Sequence, residues 1–216
     1  MTEVGTTTRT SYVRRPADAV AGAAGLLVLA AGMAIVGKDG HVPGWERDTF
    51  DAINGLPEAL YPVLWPFQQI GAILVAPILA LVALILRKYR LALGLFLAAL
   101  LKLGLERVVK EIVSRERPGA SIGSSAELRG DVSAAGESFV SGHAVLVAAM
   151  ACLIAPYLAG RWKVLPWAAV ALVMVGRVYV GAHNPLDVIC GAGLGVAIGS
   201  ALNLVVGVPA ADQYRT

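Results

Sequence analysis

The sequence is poor in the features that mark most soluble enzymes and binding modules. It has two cysteines, Cys152 and Cys190, each inside an apolar run and without a CxxC spacing. That argues against a disulfide framework or a thiolate metal site, and both read as small core residues. No cluster of carboxylates is present that would hold a hard cation through oxygen ligands, so no metal is expected. The net charge is only +3, which gives no nucleic-acid signature. There is no internal repeat and no sign of a second domain.

What the chain has in excess is apolar surface. Its 216 residues are 57% apolar, against about 45–50% for a soluble domain, and its mean hydropathy is +0.69. A helix that crosses a bilayer needs roughly 20 mostly apolar residues. Six such segments are expected, over residues 19–37, 61–86, 91–113, 143–158, 164–180 and 186–206. The fold class expected is therefore all-α, an integral membrane bundle of six transmembrane helices. Its six-span domain covers residues 17–207, between tails at 1–16 and 208–216. Arg14 and Arg15 precede the first segment, as in a signal peptide, but its apolar run exceeds the roughly 7–15 residues of such a leader.

Lysines and arginines in short loops set the orientation. Arg9, Arg14, Arg15, Arg87, Lys88, Arg90, Arg161, Lys163 and Arg215 fall on one side. Lys38, Arg47, Arg115, Arg117 and Arg129 fall on the other, nine against five. Both tails are accordingly expected in the cytoplasm. Two outer connections are long. In 38–60, Phe50, Ile53, Leu56 and Leu60 recur at near-helical spacing. That fits an interfacial amphipathic helix, or equally an ordinary loop with a tryptophan anchor. Residues 114–142, rich in Gly, Ser and charge, read as a polar loop with little structure of its own.

Three polar clusters then share the outer face: "KEIVSRERP", "SFVSGH" and "RVYVGAHNPLD". Each alone has a plain explanation. Cations near span ends snorkel to headgroups, and Ser141 followed by Gly142 is a fair helix start. Those explanations do not predict that cations and histidines gather on one face. Lys110 and Arg117, seven apart, would share a face of one helix that Pro118 stops. With Arg177 they suit a phosphate, as does a helix opening at Ser141, Gly142 and His143. Two histidines then divide the labour, one attacking phosphorus and the other protonating the leaving oxygen. Asp187, four after His183 in a helix opened by Asn184 and Pro185, can orient that imidazole.

Two further patterns stand out. Asp187, Gly191, Gly195, Gly199 and Asn203 step by four, either facing the bundle with Asp187 inward or forming a dimer face. Lys102, Glu106 and Lys110 also step by four, an ion-pair ladder that would hold Lys110 in place.

The combined spacing Lys-x6-Arg-Pro, Ser-Gly-His and Arg-x5-His-x3-Asp resembles the type-2 phosphatidic acid phosphatase superfamily, membrane lipid phosphatases that share their site with vanadium haloperoxidases. The resemblance covers about residues 17–207. It implies that His183 forms a phosphohistidine, Asp187 orients it and His143 is the general acid. Lys110, Arg117, Ser141, Gly142 and Arg177 would hold the phosphoryl oxygens, with no cofactor and no metal. Val140 stands where the family commonly has proline, and Gly176 where it commonly has serine. These departures bear on rate and phosphate contacts more than on the reaction. The implied substrate is a lipid phosphate or diphosphate, at the outer face of a bacterial cytoplasmic membrane. By analogy with bacterial relatives a polyprenyl diphosphate such as undecaprenyl diphosphate comes first. Phosphatidate, phosphatidylglycerol phosphate and a polyprenyl-linked sugar phosphate follow. A transporter that binds lipid phosphates without hydrolysis is the competing class, but pure binding would need only the cations. The implied partners are this substrate and membrane lipids, with no nucleic acid. The sequence does not set the oligomeric state.

Overall fold

A computed structural model describes residues 11–210. Arg9 and Arg215 lie outside them, as do most residues of the two expected tails. The longer regular elements of the described chain are all helices: α1 (Pro16–Val36), α2 (Gly44–Asn54), α3 (Tyr61–Gln69), α4 (Val75–Ile85), α5 (Tyr89–Ile112), α6 (Pro118–Ser121), α7 (Gly142–Ile154), α8 (Val164–Tyr179) and α9 (Pro185–Val206). Strands β1 (Tyr12–Val13) and β2 (Val208–Pro209) pair antiparallel, Tyr12 opposite Pro209.

Three helical runs, Pro16–Val36, Gly160–Tyr179 and Pro185–Val206, are long and apolar enough to cross a membrane. Large apolar side chains point outward along the bundle: Leu27, Leu74, Ile85, Leu103, Val164 and Val205 are each more than half exposed. Water would not tolerate so broad an apolar surface, and lipid does. The chain is an integral membrane protein.

The core is built around α7. Its segment GHAVLVAAMACLI is apolar all round, and Ala144 to Leu153 are all buried, as expected of a central helix. Helices α5, α8 and α9 surround it, and α1 packs on the far side of α9. Small residues permit this closeness. A Cβ on Gly191 would stand 2.7 Å from the Ser141 carbonyl oxygen, and one on Gly199 2.6 Å from Cys152 Cβ. Between them, Gly195 lies against the Val145 carbonyl. The four-step stripe thus faces α7 inside the bundle and is not a dimer face. A second small-residue face of α9 escaped the sequence reading: Gly193 meets Gly25 of α1, and Cys190 packs into Gly32.

The expected 61–86 span is two helices, α3 and α4, with a turn between Gln69 and Val75. The turn lets Gly71 approach the catalytic end, where a Cβ would stand 2.7 Å from His143 Cβ. The 38–60 connection carries the helix α2, but its buried stripe is Glu46, Phe50 and Asn54. A face with two polar residues packs on protein, not among lipid tails, and α2 lies on α8 and α9. Residues 114–142 are also more ordered than their composition suggests. Ser138 N–H donates to the Arg115 carbonyl at 2.8 Å and Arg117 N–H to the Gly136 carbonyl at 3.1 Å. Arg129 Nη1 donates to the carbonyls of Asn54 and Tyr179, both at 2.7 Å.

The basic residues divide between the two ends. Arg90 donates to the Val206 carbonyl and stacks on Tyr12, Arg14 donates to the Leu204 carbonyl, and Arg15 pairs with Asp18. These lie at the strand-paired end. Arg47, Arg115, Arg117 and Arg129 lie at the other, among the 114–142 segment and α2.

Candidate active site

At the end of the bundle away from the paired strands, three stretches meet: the chain after α5, the start of α7 and the α8–α9 connection. They are tied directly, since Ser141 N–H donates to the Asp187 carbonyl at 2.9 Å.

The α8–α9 connection is short and tightly turned. Gly181 has φ +76°, and a Cβ there would stand 2.6 Å from the Glu127 carbonyl oxygen, so only glycine fits. The turn delivers His183, 3% exposed. Asn184 caps α9 and Pro185 follows it, as its sequence implied. Asp187, fully buried, accepts the Asn184 N–H on Oδ2 at 2.8 Å, reaching back one turn. The same Oδ2 lies 3.6 Å from His183 Nδ1, within ion-pairing range though longer than a hydrogen bond. Nδ1 therefore faces Asp187, and Nε2 is the nitrogen left for chemistry. Burial, aided by Arg177 and Arg117, pushes the His183 imidazole down to about 4 against the pull of Asp187. At neutral pH the ring is uncharged and nucleophilic.

Ser141 caps α7, yet its Oγ makes no capping bond. Among the described residues, Ser141 Oγ, Arg117 Nε and Arg177 Nε are buried without a hydrogen-bond partner, and so is His183 Nδ1. Buried donors left open are costly. Three of them beside a histidine, at the N-terminus of α7, fit an anion. His143 sits in the same field, near Arg177, His183, Lys102 and Glu106.

Lys110 and Arg117 are not on one helix. Helix α5 ends at Ile112, with Val113 already extended, and Pro118 opens α6 instead of ending α5. Arg117 thus reaches the site from an extended stretch. Lys110 reaches it through Glu106: Lys102 and Lys110 pair with the two oxygens of that carboxylate at 2.6 and 2.7 Å. The carboxylate lies against Gly142, where any side chain would collide with it. The ladder expected from the four-residue steps is present.

Three residues of this region gave no signal as site residues. Gln68 of α3, buried, accepts from Arg177 Nη1 at 3.2 Å. A Cβ at Gly176 would stand 3.0 Å from Gln68 Cγ, so Gln68 takes the room a larger residue would need there. Arg115 and Glu46 are wholly buried. Arg115 Nη1 donates to Asp187 Oδ1 at 2.8 Å and to Glu46 Oε1 at 3.1 Å, and Nη2 pairs with Glu46 Oε2. Burial opposes the Arg115 charge, but Asp187 and Glu46 outweigh it and hold the guanidinium above its ordinary value. Arg115 read as one more loop cation because its neighbour Arg117 absorbed the motif. The trace of Glu46 was its place four before Phe50 and eight before Asn54.

None of the curated proteins matches the sequence. Two solved structures are similar. LpxE from Aquifex aeolicus superposes with a TM-score of 0.65 at 26% identity, covering 72% of this chain and 92% of that one. A transmembrane PAP2-type phosphatidylglycerolphosphate phosphatase from Bacillus subtilis superposes with a TM-score of 0.60 at 21% identity, covering 86% and 94%. The model of the PAP2 superfamily matches residues 90–208, which hold all three polar clusters. On that match, over more than half of its length, the chain belongs to the PAP2 superfamily.

Proposed function

We propose that this membrane lipid phosphatase hydrolyses a lipid phosphate or diphosphate through a phosphohistidine on His183. The observation that carries the reading is the set of buried open donors, Arg117 Nε, Arg177 Nε and Ser141 Oγ, beside the His183 imidazole backed by Asp187. His183 Nε2 attacks phosphorus, and the bond from phosphorus to the leaving oxygen breaks. His143 gives its proton to that oxygen. Water then attacks phosphorus, losing its proton to His143, the bond from phosphorus to His183 Nε2 breaks, and inorganic phosphate leaves. Arg117, Arg177, Ser141 and the α7 N-terminus at Gly142 stabilise the equatorial oxygens, with Lys110 held alongside by Glu106. The cations neutralise the charge, and the carboxylates around them are committed, Glu46 and Asp187 to Arg115 and Glu106 to Lys102 and Lys110. The reaction is accordingly metal-independent.

Six spans, both tails in the cytoplasm and the site outside a bacterial membrane complete the proposal, on the strength of the loop charges. Undecaprenyl diphosphate is the leading substrate, by family analogy. The test is phosphate release by detergent-purified protein from a panel: undecaprenyl diphosphate, phosphatidate, phosphatidylglycerol phosphate and a polyprenyl-linked sugar phosphate. Turnover that survives EDTA and is blocked by vanadate is expected. No release from any member, or a loss in EDTA that Mg²⁺ restores, would overturn the reading.

A further inference from the structure

The buried group Glu46–Arg115–Asp187 joins the outer helix α2 to the catalytic end. Burying one cation with two carboxylates is often no more stabilising than apolar residues of the same volume. Its geometry converges on one carboxylate. Asp187 Oδ1 is fixed by Arg115 Nη1 and Oδ2 by the Asn184 N–H. Arg115 is in turn fixed by the fork on Glu46 and by the His41 carbonyl at 3.2 Å. Glu46 Oε1 also accepts the Leu186 N–H at 2.7 Å, so Glu46 grips the backbone next to Asp187 as well as its side chain.

We propose that Glu46 and Arg115 are positioning residues that set the plane of the Asp187 carboxylate and, through it, the orientation and charge of the His183 ring. The inference rests on the reaction proposed above. The group holds one positive and two negative charges, an excess of one negative. An imidazole that bonds phosphorus through Nε2 while keeping its Nδ1 proton becomes positive, and the excess charge complements it. The other groups facing His183 are Arg177 from α8, Arg117 from the stretch before α6 and His143 from α7.

Two variants test this. Glu46→Gln keeps volume and an acceptor for Leu186 but removes one negative charge. Arg115→Lys keeps the charge but loses the fork. Each should lower kcat about 10–100-fold, by analogy with the outer partners of a metal-bound histidine, while KM and vanadate affinity stay near wild type. The second readout does not depend on turnover. In protein labelled with ¹³C,¹⁵N-histidine, the His183 titration is followed by NMR and assigned by its loss in His183→Gln. Glu46→Gln should move the midpoint about one unit lower, and Arg115→Lys should leave it in place. Wild-type kcat with an unmoved midpoint in Glu46→Gln would overturn the inference, as would parallel loss of kcat and vanadate affinity. If wild-type protein released no phosphate from any lipid, the reaction would fall, while the midpoint of Glu46→Gln would still decide whether these residues govern the ring.

Discussion

The two histidines differ in what holds them, and the difference is measurable. His183 has Asp187 behind Nδ1, whereas His143 sits at the helix start beside Arg177 and Glu106. His183→Ala should abolish both the phosphoenzyme and turnover. His143→Ala should cost much less on an activated aryl phosphate than on a lipid phosphate, because a good leaving group needs no proton. Equal losses on both substrates would remove the acid role. Asp187→Asn should lower kcat by roughly 10³–10⁴-fold, the scale of an aspartate behind a catalytic histidine. Read as a helix-start residue alone, position 187 would tolerate asparagine. The bond to Arg115 changes that, and a loss of about 1–3 kcal/mol in stability is expected as well. His183 also links stability to pH. Its folded value, about 4, is below the ordinary value of about 6.5, so the unfolded chain binds the proton first as pH falls. The stabilisation is whole above about 6.5 and drains away toward about 4. Thermal melts across that window should show a larger loss in wild type than in His183→Gln.

At the scale of helices, α7 and α9 carry the two halves of the site, and the glycines between them set the spacing. Gly195→Val would drive a side chain into the Val145 carbonyl. It should lower the melting temperature in detergent, with an overpacking cost of about 1–3 kcal/mol or more. Activity should fall too, since His143 and Asp187 ride on the separated helices. An unchanged melting temperature would mean that α7 and α9 do not pack this closely. The same glycines show what the sequence makes legible. A four-residue step from Asp187 to Asn203 can be read without coordinates, and so can apolar runs, because both are periodic along the chain. The catalytic motifs are local strings, so Arg117, His143, His183 and Asp187 were also within reach. What escaped depends on partners distant in sequence. The turn after Gln69 brings Gly71 against His143, 72 positions on. The end of α5 at Ile112 frees Arg117 to bond Gly136. Glu46 finds Arg115 across 69 positions. Composition near each residue carries no trace of such pairings.

For the molecule as a whole, sidedness decides which leaflet supplies the substrate. A cysteine placed in the 120–135 segment should react with an impermeant thiol reagent on intact cells, and one at Tyr89 should not. The reverse pattern would move the substrate to the inner leaflet. The wild-type thiols, Cys152 and Cys190, are buried and should give little background. Finally, β1 and β2 place Tyr12 beside Pro209, which brings the two ends of the described chain together. A short linker between those points, with a new opening cut in the exposed turn at Arg87 and Lys88, should give a circular permutant that still folds. Such surface turns tolerate new ends best. In that permutant the stretch from Tyr89 to Pro209 would leave the ribosome first and the helix bearing Glu46 would follow. Glu46 would then be synthesised after Arg115 and Asp187 instead of before them, while the geometry of the three stayed the same.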